Sequence, residues 1–424
     1  MAKTRIIAGI ELGSSKVSTL IAQVLTDATT FEQTINIVGV ATVEAKGIRK
    51  GQIVNLDEAV EATISSVEAA ERMAGYNLNS AYIALGGGHL SSQNSQGVVA
   101  ISDPEGEITS SDLDRVIEAA SAVSLPSSRE IVHVMPIEYV VDGESGVKDP
   151  VGMSGVRLEV KTHLITASTS AIKNIRKAIN EVGVDIEGLV FTGLAASEAV
   201  LSQTEKELGC VCIDIGGGTT SVAAFIDGAI SHSDVIPIGA KNITNDLAIG
   251  MRVSLESAEK VKVALSQEAS RKGKAKKSES DQIGLKDLGV EEVKNVSRKT
   301  LIEGIIRPRL NEIFTMVRMD LDRAGLADRI PSGAIITGGG ALTVGAIDSA
   351  KRMLALPVRL GLPKGVGGLI DDVINPSFAT NVGLIAYGAK VGPDEYFSSL
   401  TSKFKLPSKG LAGKLVDTLR DLLP

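Results

Sequence analysis

The chain of 424 residues is long enough for about two to four domains. Its 43% apolar and 22% charged residues exclude a disordered chain, a collagen and a small disulfide scaffold. The net charge of −7 and the 3% of aromatic residues argue against nucleic acid as a partner, so none is predicted.

The first half of the chain opens with a strand, a Gly/Ser turn and a second strand over residues 6–24. The hydrophobic pattern then predicts, in chain order, a strand at 35–45, a helix at 56–75 capped near Asn55, a strand at 81–85, short strands with one helix (110–123) within 86–162, and helices at 169–182 and 193–206. The change to short strands and Pro/Gly turns after residue 86 indicates an inserted subdomain.

The second half repeats the opening pattern. It begins with a strand at 211–215, a glycine turn at 216–220, a strand at 221–226 and a turn at Asp227-Gly228. The two units begin about 200 residues apart, which indicates one structural unit used twice. The elements predicted after them are a mostly helical region at 239–326 with a charged loop at 271–278, a strand at 333–336, helices at 341–352 and 377–391, and a polar linker at 398–410.

Both repeated turns carry the features of a phosphate-binding site. A glycine turn between strands presents consecutive backbone N–H groups to phosphate oxygens. Glu11 and Asp214 each stand two positions ahead of the first glycine, where a carboxylate holds Mg²⁺ through water. The candidate phosphate-binding residues are Gly13, Ser14, Ser15 and Lys16 in the first turn, Gly216, Gly217, Gly218, Thr219 and Thr220 in the second, and Gly338, Gly339 and Gly340 at a later strand-to-helix junction.

One such turn alone is more often a structural hairpin, but three in this order predict a nucleotide clamp between two related domains. The Gly-x-x-x-x-Gly-Lys-Ser/Thr motif is absent from the sequence, so the chain is not a P-loop protein.

The order of these motifs resembles that of the actin-like ATPase superfamily. The resemblance implies an α/β, actin-like two-lobed fold of duplicated ribonuclease H-like domains, with an inserted small α/β subdomain and a helical subdomain. It implies ATP and Mg as cofactors. It also implies that Gly338 to Leu342 is the adenosine motif, and that residues 195–201 and 381–389 are the two connecting helices.

Three stretches resemble one branch, the FtsA family of bacterial cell-division proteins. They are residues 83–97, 134–158 and 205–218, and the likeness covers nearly the whole chain. In similar proteins the helix face that carries Glu259 and Lys262 borders the adenosine, so both are candidate nucleotide contacts. A surface ion pair between the two is the alternative.

The resemblance also divides the chain. The predicted parts are a first lobe core at 1–85 and 163–206 with 377–397, an inserted subdomain at 86–162, a second lobe core at 207–244 and 327–376, a helical subdomain at 245–326, a linker at 398–410 and a terminal helix at 411–424.

The terminal helix is predicted to be amphipathic. Its apolar face is formed by Leu411, Leu415, Val416, Leu419, Leu422 and Leu423. Such a helix either docks on its own domain or lies in a membrane interface, and the lysines of the linker before it favour anionic lipid. Similar proteins end with a membrane-targeting helix of this kind. No apolar window of about 18 residues is present that would span a bilayer.

The family resemblance implies a peripheral protein at the cytoplasmic side of the cell inner membrane, at the division site. Such a protein binds ATP, polymerises, tethers FtsZ filaments to the membrane and recruits other divisome proteins. Many hydrolytic relatives place Glu or Gln near Thr192, and a threonine hydroxyl is a poor base, so hydrolysis is predicted to be slow or absent. The alternatives are an actin-like component of type IV pilus assembly and a phosphotransferase of the sugar-kinase type.

Overall fold

A computed structural model describes residues 3–27, 29–30, 32–103, 105–272, 281–285, 289–290 and 295–391, without the side chains of 3, 270–272, 295, 370 and 372. The predicted linker at 398–410 and the predicted terminal helix at 411–424 lie outside these residues.

The structure contains the predicted strands and helices in their predicted order, together with strands at Ala229–Ile236, Val358–Leu360 and Val366–Gly368 that the pattern does not predict. The strands are β1 (Lys3–Leu12), β2 (Lys16–Thr26), β3 (Gln33–Glu44), β4 (Ile48–Arg49), β5 (Gln52–Ile53), β6 (Ser80–Leu85), β7 (Ser91–Ala100), β8 (Arg129–Val141), β9 (Glu144–Val147), β10 (Arg157–Ser168), β11 (Asp185–Phe191), β12 (Cys210–Ile215), β13 (Thr220–Ile226), β14 (Ala229–Ile236), β15 (Gln282–Gly284), β16 (Asn295–Ser297), β17 (Ala334–Thr337), β18 (Val358–Leu360) and β19 (Val366–Gly368). The helices are α1 (Leu56–Ala74), α2 (Ser110–Ser121), α3 (Thr169–Val182), α4 (Thr192–Val200), α5 (Gln203–Leu208), α6 (Ala240–Met251), α7 (Leu255–Lys272), α8 (Arg298–Leu301), α9 (Arg307–Arg323), α10 (Ala346–Leu354), α11 (Ile370–Val373) and α12 (Ala379–Lys390).

Two sheets share one strand order, which confirms the predicted duplication. The first lobe has the order β3-β2-β1-β6-β11, with β19 added beside β3, and the second has β14-β13-β12-β17-β18. In each sheet the first three strands are antiparallel and the last two are added in parallel. Every residue of β12 and β13 is buried, as expected for central strands that are covered on both faces.

The inserted subdomain has a sheet and a core of its own. Its strand order is β7-β10-β8-β9, all antiparallel, and α2 packs on β7. Apolar side chains from α2, β8 and β10 form a separate core cluster. The insert therefore folds around a local core instead of extending the sheet of the first lobe.

Three predicted helices begin or end elsewhere than the pattern indicates. The helix predicted at 193–206 is two helices, because Ser202 caps α5 by accepting a hydrogen bond from the Glu205 N–H. The helix predicted at 341–352 is a 3₁₀ turn (Gly339–Leu342) followed by α10, because the left-handed Gly345 separates them. The last helix starts as a 3₁₀ turn (Pro376–Phe378) before α12.

The region predicted as mostly helical, 239–326, also contains a small sheet. β15 and β16 pair antiparallel, and Ile283 of β15 is buried in the core of the second lobe. This apolar residue anchors a strand that is too short to give a periodic signal in the sequence.

The helices that connect the lobes cross at very close range. A Cβ atom added to Gly383 of α12 would collide with the backbone carbonyl of Ala195 in α4. The sequence brings the two helix backbones together by omitting a side chain at the crossing point.

Candidate nucleotide-binding site

The two predicted phosphate turns have the same backbone geometry. The Gly13 N–H donates to the Lys16 carbonyl at 3.0 Å, and the Gly216 N–H donates to the Thr219 carbonyl at 2.8 Å. Each bond spans three residues and follows the first long strand of its lobe. The repeated unit therefore includes the turn as well as the strands.

The two turns, one from each lobe, face each other. A Cβ atom on Gly217 would collide with the side chain of Ser15, and one on Gly218 would lie 2.7 Å from the Ser14 hydroxyl oxygen. The Ser14 hydroxyl in turn accepts a hydrogen bond from the Gly51 N–H at 2.9 Å. The close approach requires glycine in the second turn and brings main-chain groups of both lobes to one place.

A cleft of about 1170 Å³ opens beside these turns. The predicted residues that line it are Glu11, Gly13, Ser14, Ser15, Lys16, Asp214, Gly216, Gly217, Thr219, Glu259, Lys262, Gly338, Gly339, Gly340 and Leu342. Gly218 and Thr220 are not among its lining residues. The Thr220 side chain is fully buried, and its hydroxyl donates to the Ile238 carbonyl at 2.9 Å.

The two predicted metal carboxylates lie in the same part of the cleft. The pKa of Glu11 is raised to about 7, chiefly by burial; the Lys16 ammonium lowers it and the Asp214 carboxylate raises it. Burial also raises the pKa of Asp214 to about 6, against a hydrogen bond from Thr380 and the charge of Lys16. Burial lowers the pKa of Lys16, which both carboxylates oppose. The charges of Glu11, Lys16 and Asp214 therefore act on one another's pKa values.

This donor set fits hydrated magnesium. Two carboxylates that disfavour each other's negative charge are stabilised by a divalent cation, and Mg²⁺ keeps several water ligands when it binds. Among the residues that the structure describes, no group of three or more His, Cys, Asp or Glu side chains is placed to hold a metal ion. Because Mg²⁺ keeps much of its hydration shell, Glu11 and Asp214 would hold the ion through water, beside the two glycine turns.

The third glycine turn closes against Asp214. Gly338 has a φ of +83°, and a Cβ atom at this position would collide with a carboxylate oxygen of Asp214. Glycine at position 338 thus supplies the left-handed backbone and the space for the carboxylate. Leu342, at the end of the following 3₁₀ turn, is 40% exposed and lines the cleft.

Glu259 and Lys262 form the ion pair that their spacing predicts, and both also line the cleft. They form an ion pair at 2.7 Å, and the Thr244 hydroxyl donates to the same Glu259 oxygen at 2.5 Å. Lys262 is only 7% exposed and also donates to the Thr244 hydroxyl oxygen at 2.9 Å. Both residues line the cleft, so the pair forms part of its wall.

Several cleft residues carry no signal in the sequence. They are Asn375, Pro376, Ser377 and Thr380, from the segment that precedes and begins α12. These four residues reach the site through the crossing of distant elements, which no local spacing encodes. Thr192, which the family resemblance already singled out, also lines the cleft, and its hydroxyl lies 2.8 Å from that of Ser221.

Replacing Glu11 with glutamine should flatten the pH dependence of stability. The pKa of Glu11 is about 7 in the folded chain and 4.5 in the unfolded chain. Protonated Glu11 therefore stabilises the folded state fully below pH 4.5, and this stabilisation is lost as the pH rises through 7. The loss amounts to up to about 3 kcal/mol. We expect the melting temperature of the nucleotide-free Glu11→Gln chain to fall less between pH 5 and pH 8 than that of the unaltered chain.

The exposed Glu118, replaced in the same way, is the control and should leave the pH profile unchanged. An identical profile for Glu11→Gln and the unaltered chain would contradict the assigned burial of Glu11.

Two family profiles match the chain. One, described as "SHS2 domain inserted in FTSA", matches residues 87–166, and the other, described as "Cell division protein FtsA", matches residues 211–383. A cell division protein FtsA of Pseudomonas aeruginosa is 37% identical over 390 residues, which are 92% of this chain and 91% of that protein. One of Borreliella burgdorferi is 35% identical over 404 residues, 95% of this chain and 96% of that protein.

Solved structures share the fold at low sequence identity. A chain of a PilM-PilN type IV pilus biogenesis complex has a TM-score of 0.63 at 15% identity, covering 91% of this chain and 99% of that one. An MreB5 of Spiroplasma citri bound to ADP has a TM-score of 0.51 at 14% identity, covering 91% and 97%.

Two lobes of the same strand order, each with a glycine turn at a shared cleft, define an actin-like protein, here with an inserted SHS2 domain. The chain belongs to the FtsA family and is an actin-like cell-division protein. The family expectation drawn from residues 83–97, 134–158 and 205–218 is thereby confirmed.

Proposed function

We propose that this chain binds Mg-ATP between its lobes and polymerises on the inner membrane, where it tethers FtsZ filaments at the division site. The observation that carries the nucleotide part is the contact of two equivalent glycine turns, one from each lobe, beside Glu11 and Asp214. Main-chain N–H groups at such turns bind phosphate oxygens, and the adjacent carboxylates suit hydrated Mg²⁺. The solved MreB5 of this fold is bound to ADP, which supports a nucleotide as the ligand.

In this proposal ATP is a structural ligand of the two lobes. It contacts both lobes at once, so its binding favours the closed arrangement over open ones. The Thr192 hydroxyl lies where many hydrolytic relatives place Glu or Gln, and it is a poor base at neutral pH. Slow hydrolysis or none would leave the closed, filament-competent state populated for long periods.

The membrane part of the proposal depends on the terminal helix. Within the part of the chain that the structure describes, no helix is both long enough and apolar enough to cross a bilayer. Six apolar residues on one face, each worth about 1 kcal/mol when half-buried in lipid, give a weak and reversible anchor. Several copies on one filament would bind far more tightly through effective concentration.

By family likeness we place the FtsZ contact on the helical subdomain, around residues 245–330.

Liposome co-sedimentation tests this membrane proposal. The full chain and a chain lacking residues 411–424 are spun with anionic vesicles in the presence of ATP. We expect several-fold more pelleting of the full chain, because the apolar face enters the lipid interface. Leu419→Asp on the apolar face should reduce pelleting strongly, whereas Thr418→Asp, a neighbour on the polar face, adds the same charge with a much smaller effect.

Equal pelleting of the full and the shortened chain would remove the membrane tether from the proposal. Equal loss in Leu419→Asp and Thr418→Asp would show that charge, and not the apolar face, controls binding.

A further inference from the structure

A short segment at the start of α12 is bonded to both lobes. In the second lobe, the Pro376 carbonyl accepts hydrogen bonds from the Gly338 N–H at 3.1 Å and from the Thr337 hydroxyl at 3.5 Å. In the first lobe, the fully buried Asn381 side chain accepts from the Ser18 hydroxyl at 2.8 Å and donates to the Ser18 carbonyl at 3.1 Å. One end of the segment 376–381 is therefore bonded to the second lobe, and the other end is bonded to the first lobe.

Between these anchors, two side chains meet the charged groups of the site. The Lys16 ammonium lies 3.7 Å from the centre of the Phe378 ring, within the range of a cation–π interaction. The Thr380 hydroxyl donates to Oδ2 of Asp214 at 3.1 Å, and Thr380 is only 4% exposed. One segment thus contacts the lysine of the first phosphate turn and the carboxylate before the second.

We infer that residues 376–381 position the nucleotide site: Phe378 sets the place of the Lys16 ammonium, and Thr380 sets the plane of the Asp214 carboxylate. This inference rests on the proposed binding of Mg-ATP. The two contacts would serve different parts of the proposed ligand, because Lys16 would face its phosphate oxygens and Asp214 the hydrated Mg²⁺.

The surroundings of Asp214 make Thr380 the residue that decides its orientation. Oδ1 of Asp214 lies against the backbone of Gly338, where a Cβ atom would collide with it, and Oδ2 accepts the Thr380 hydrogen bond. A hydrogen bond to one oxygen and close packing against the other restrict rotation of the carboxylate. Removing a hydrogen bond of this kind to a metal-binding group commonly changes metal affinity by about 10- to 100-fold.

The Phe378 ring acts on Lys16 in a different way. A lysine side chain has several rotatable bonds, and ordering it costs free energy when a ligand binds. The Phe378 ring beside the ammonium restricts the rotations of Lys16 before the phosphate binds. Less side-chain entropy is therefore lost on binding.

Nucleotide affinity with and without Mg²⁺ separates these two roles. The full chain is titrated with a fluorescent ATP analogue, in excess Mg²⁺ and again in EDTA. Thr380→Val should weaken binding about tenfold in Mg²⁺ and leave it unchanged in EDTA, and Thr380→Ser should restore it. Phe378→Leu should weaken binding several-fold in both conditions, and Phe378→Tyr, which keeps the ring, should restore it.

The control is Thr63→Val, which removes an equally buried hydroxyl from α1, away from the cleft, and should leave both affinities unchanged. Equal losses with and without Mg²⁺ in Thr380→Val, or unchanged affinities in both variants, would overturn the inference while the proposed function stands. Failure of the unaltered chain to bind the analogue would overturn the proposed function and the inference together.

Discussion

Replacing Asp214 with alanine is expected to abolish Mg-ATP binding. The carboxylate lies between the second phosphate turn and Gly338, is 7% exposed, and with Glu11 forms the only predicted pair of metal-holding acids. Its removal leaves the Lys16 ammonium without one of its two counter-charges. It would also deprive the proposed Mg²⁺ of its carboxylate from the second lobe. Isothermal titration with ATP and Mg²⁺ should show an affinity at least about 100-fold weaker than that of the unaltered chain.

Two further variants make this result interpretable. Asp214→Asn keeps the shape of the side chain and its acceptor for the Thr380 hydroxyl but removes the charge, so it should lose binding nearly as fully as Asp214→Ala. Asp328→Ala removes an exposed carboxylate elsewhere in the second lobe and should bind normally. Undiminished affinity in Asp214→Ala would show that the metal is held elsewhere.

The parts of this site that the sequence predicts are those encoded over a few residues. Glu11 and Asp214 are recognisable because each lies near the end of a strand and precedes a glycine turn by two positions. The structure places both in one cleft because the two lobes repeat the same strand order, which the spacing of the two units already indicates. Local pattern and duplication together predict the two glycine turns and the repeated lobes, whereas the actin-like fold class follows from the family resemblance of these motifs.

The contacts that hold these groups in place are not encoded locally. Thr380 lies 166 residues from Asp214, and Asn381 lies 363 residues from Ser18. The sequence around α12 predicts a helix but gives no sign of which lobe its first turn touches. Such pairings follow from the packing of α12 against the sheet and α4, which depends on the whole fold.

Errors in the helix boundaries have a different cause. The capping box formed by Ser202 and Glu205 is readable in the sequence and marks the start of α5, yet the apolar periodicity at 193–206 runs across it. At 341–352 the periodicity similarly hides the left-handed Gly345. Start and stop signals deserve more weight than periodicity where the two conflict.

A methyl group at the crossing of the connecting helices is expected to destabilise the whole chain. Gly383 lies in α12 against the backbone of Ala195 in α4, and a Cβ atom would collide with that carbonyl oxygen. Helix propensity alone would favour Gly383→Ala by about 1 kcal/mol. Backbone atoms move aside less readily than the tip of a side chain, so the collision should outweigh that gain and destabilise the chain by about 3 kcal/mol. The melting temperature should therefore fall by at least about 6 °C.

Gly304→Ala is the matched control, since Gly304 is exposed, lies within a helical segment, and has no atom near enough to meet an added Cβ. The same chemical change there should leave the chain as stable as before or slightly more so. If Gly383→Ala unfolds at the same temperature as Gly304→Ala, the two helices do not approach each other as closely as described. If only Gly383→Ala melts early, and also binds ATP less tightly, the crossing of α4 and α12 controls how the lobes meet around the cleft. That result would connect the packing of the two helices to the arrangement of the two phosphate turns.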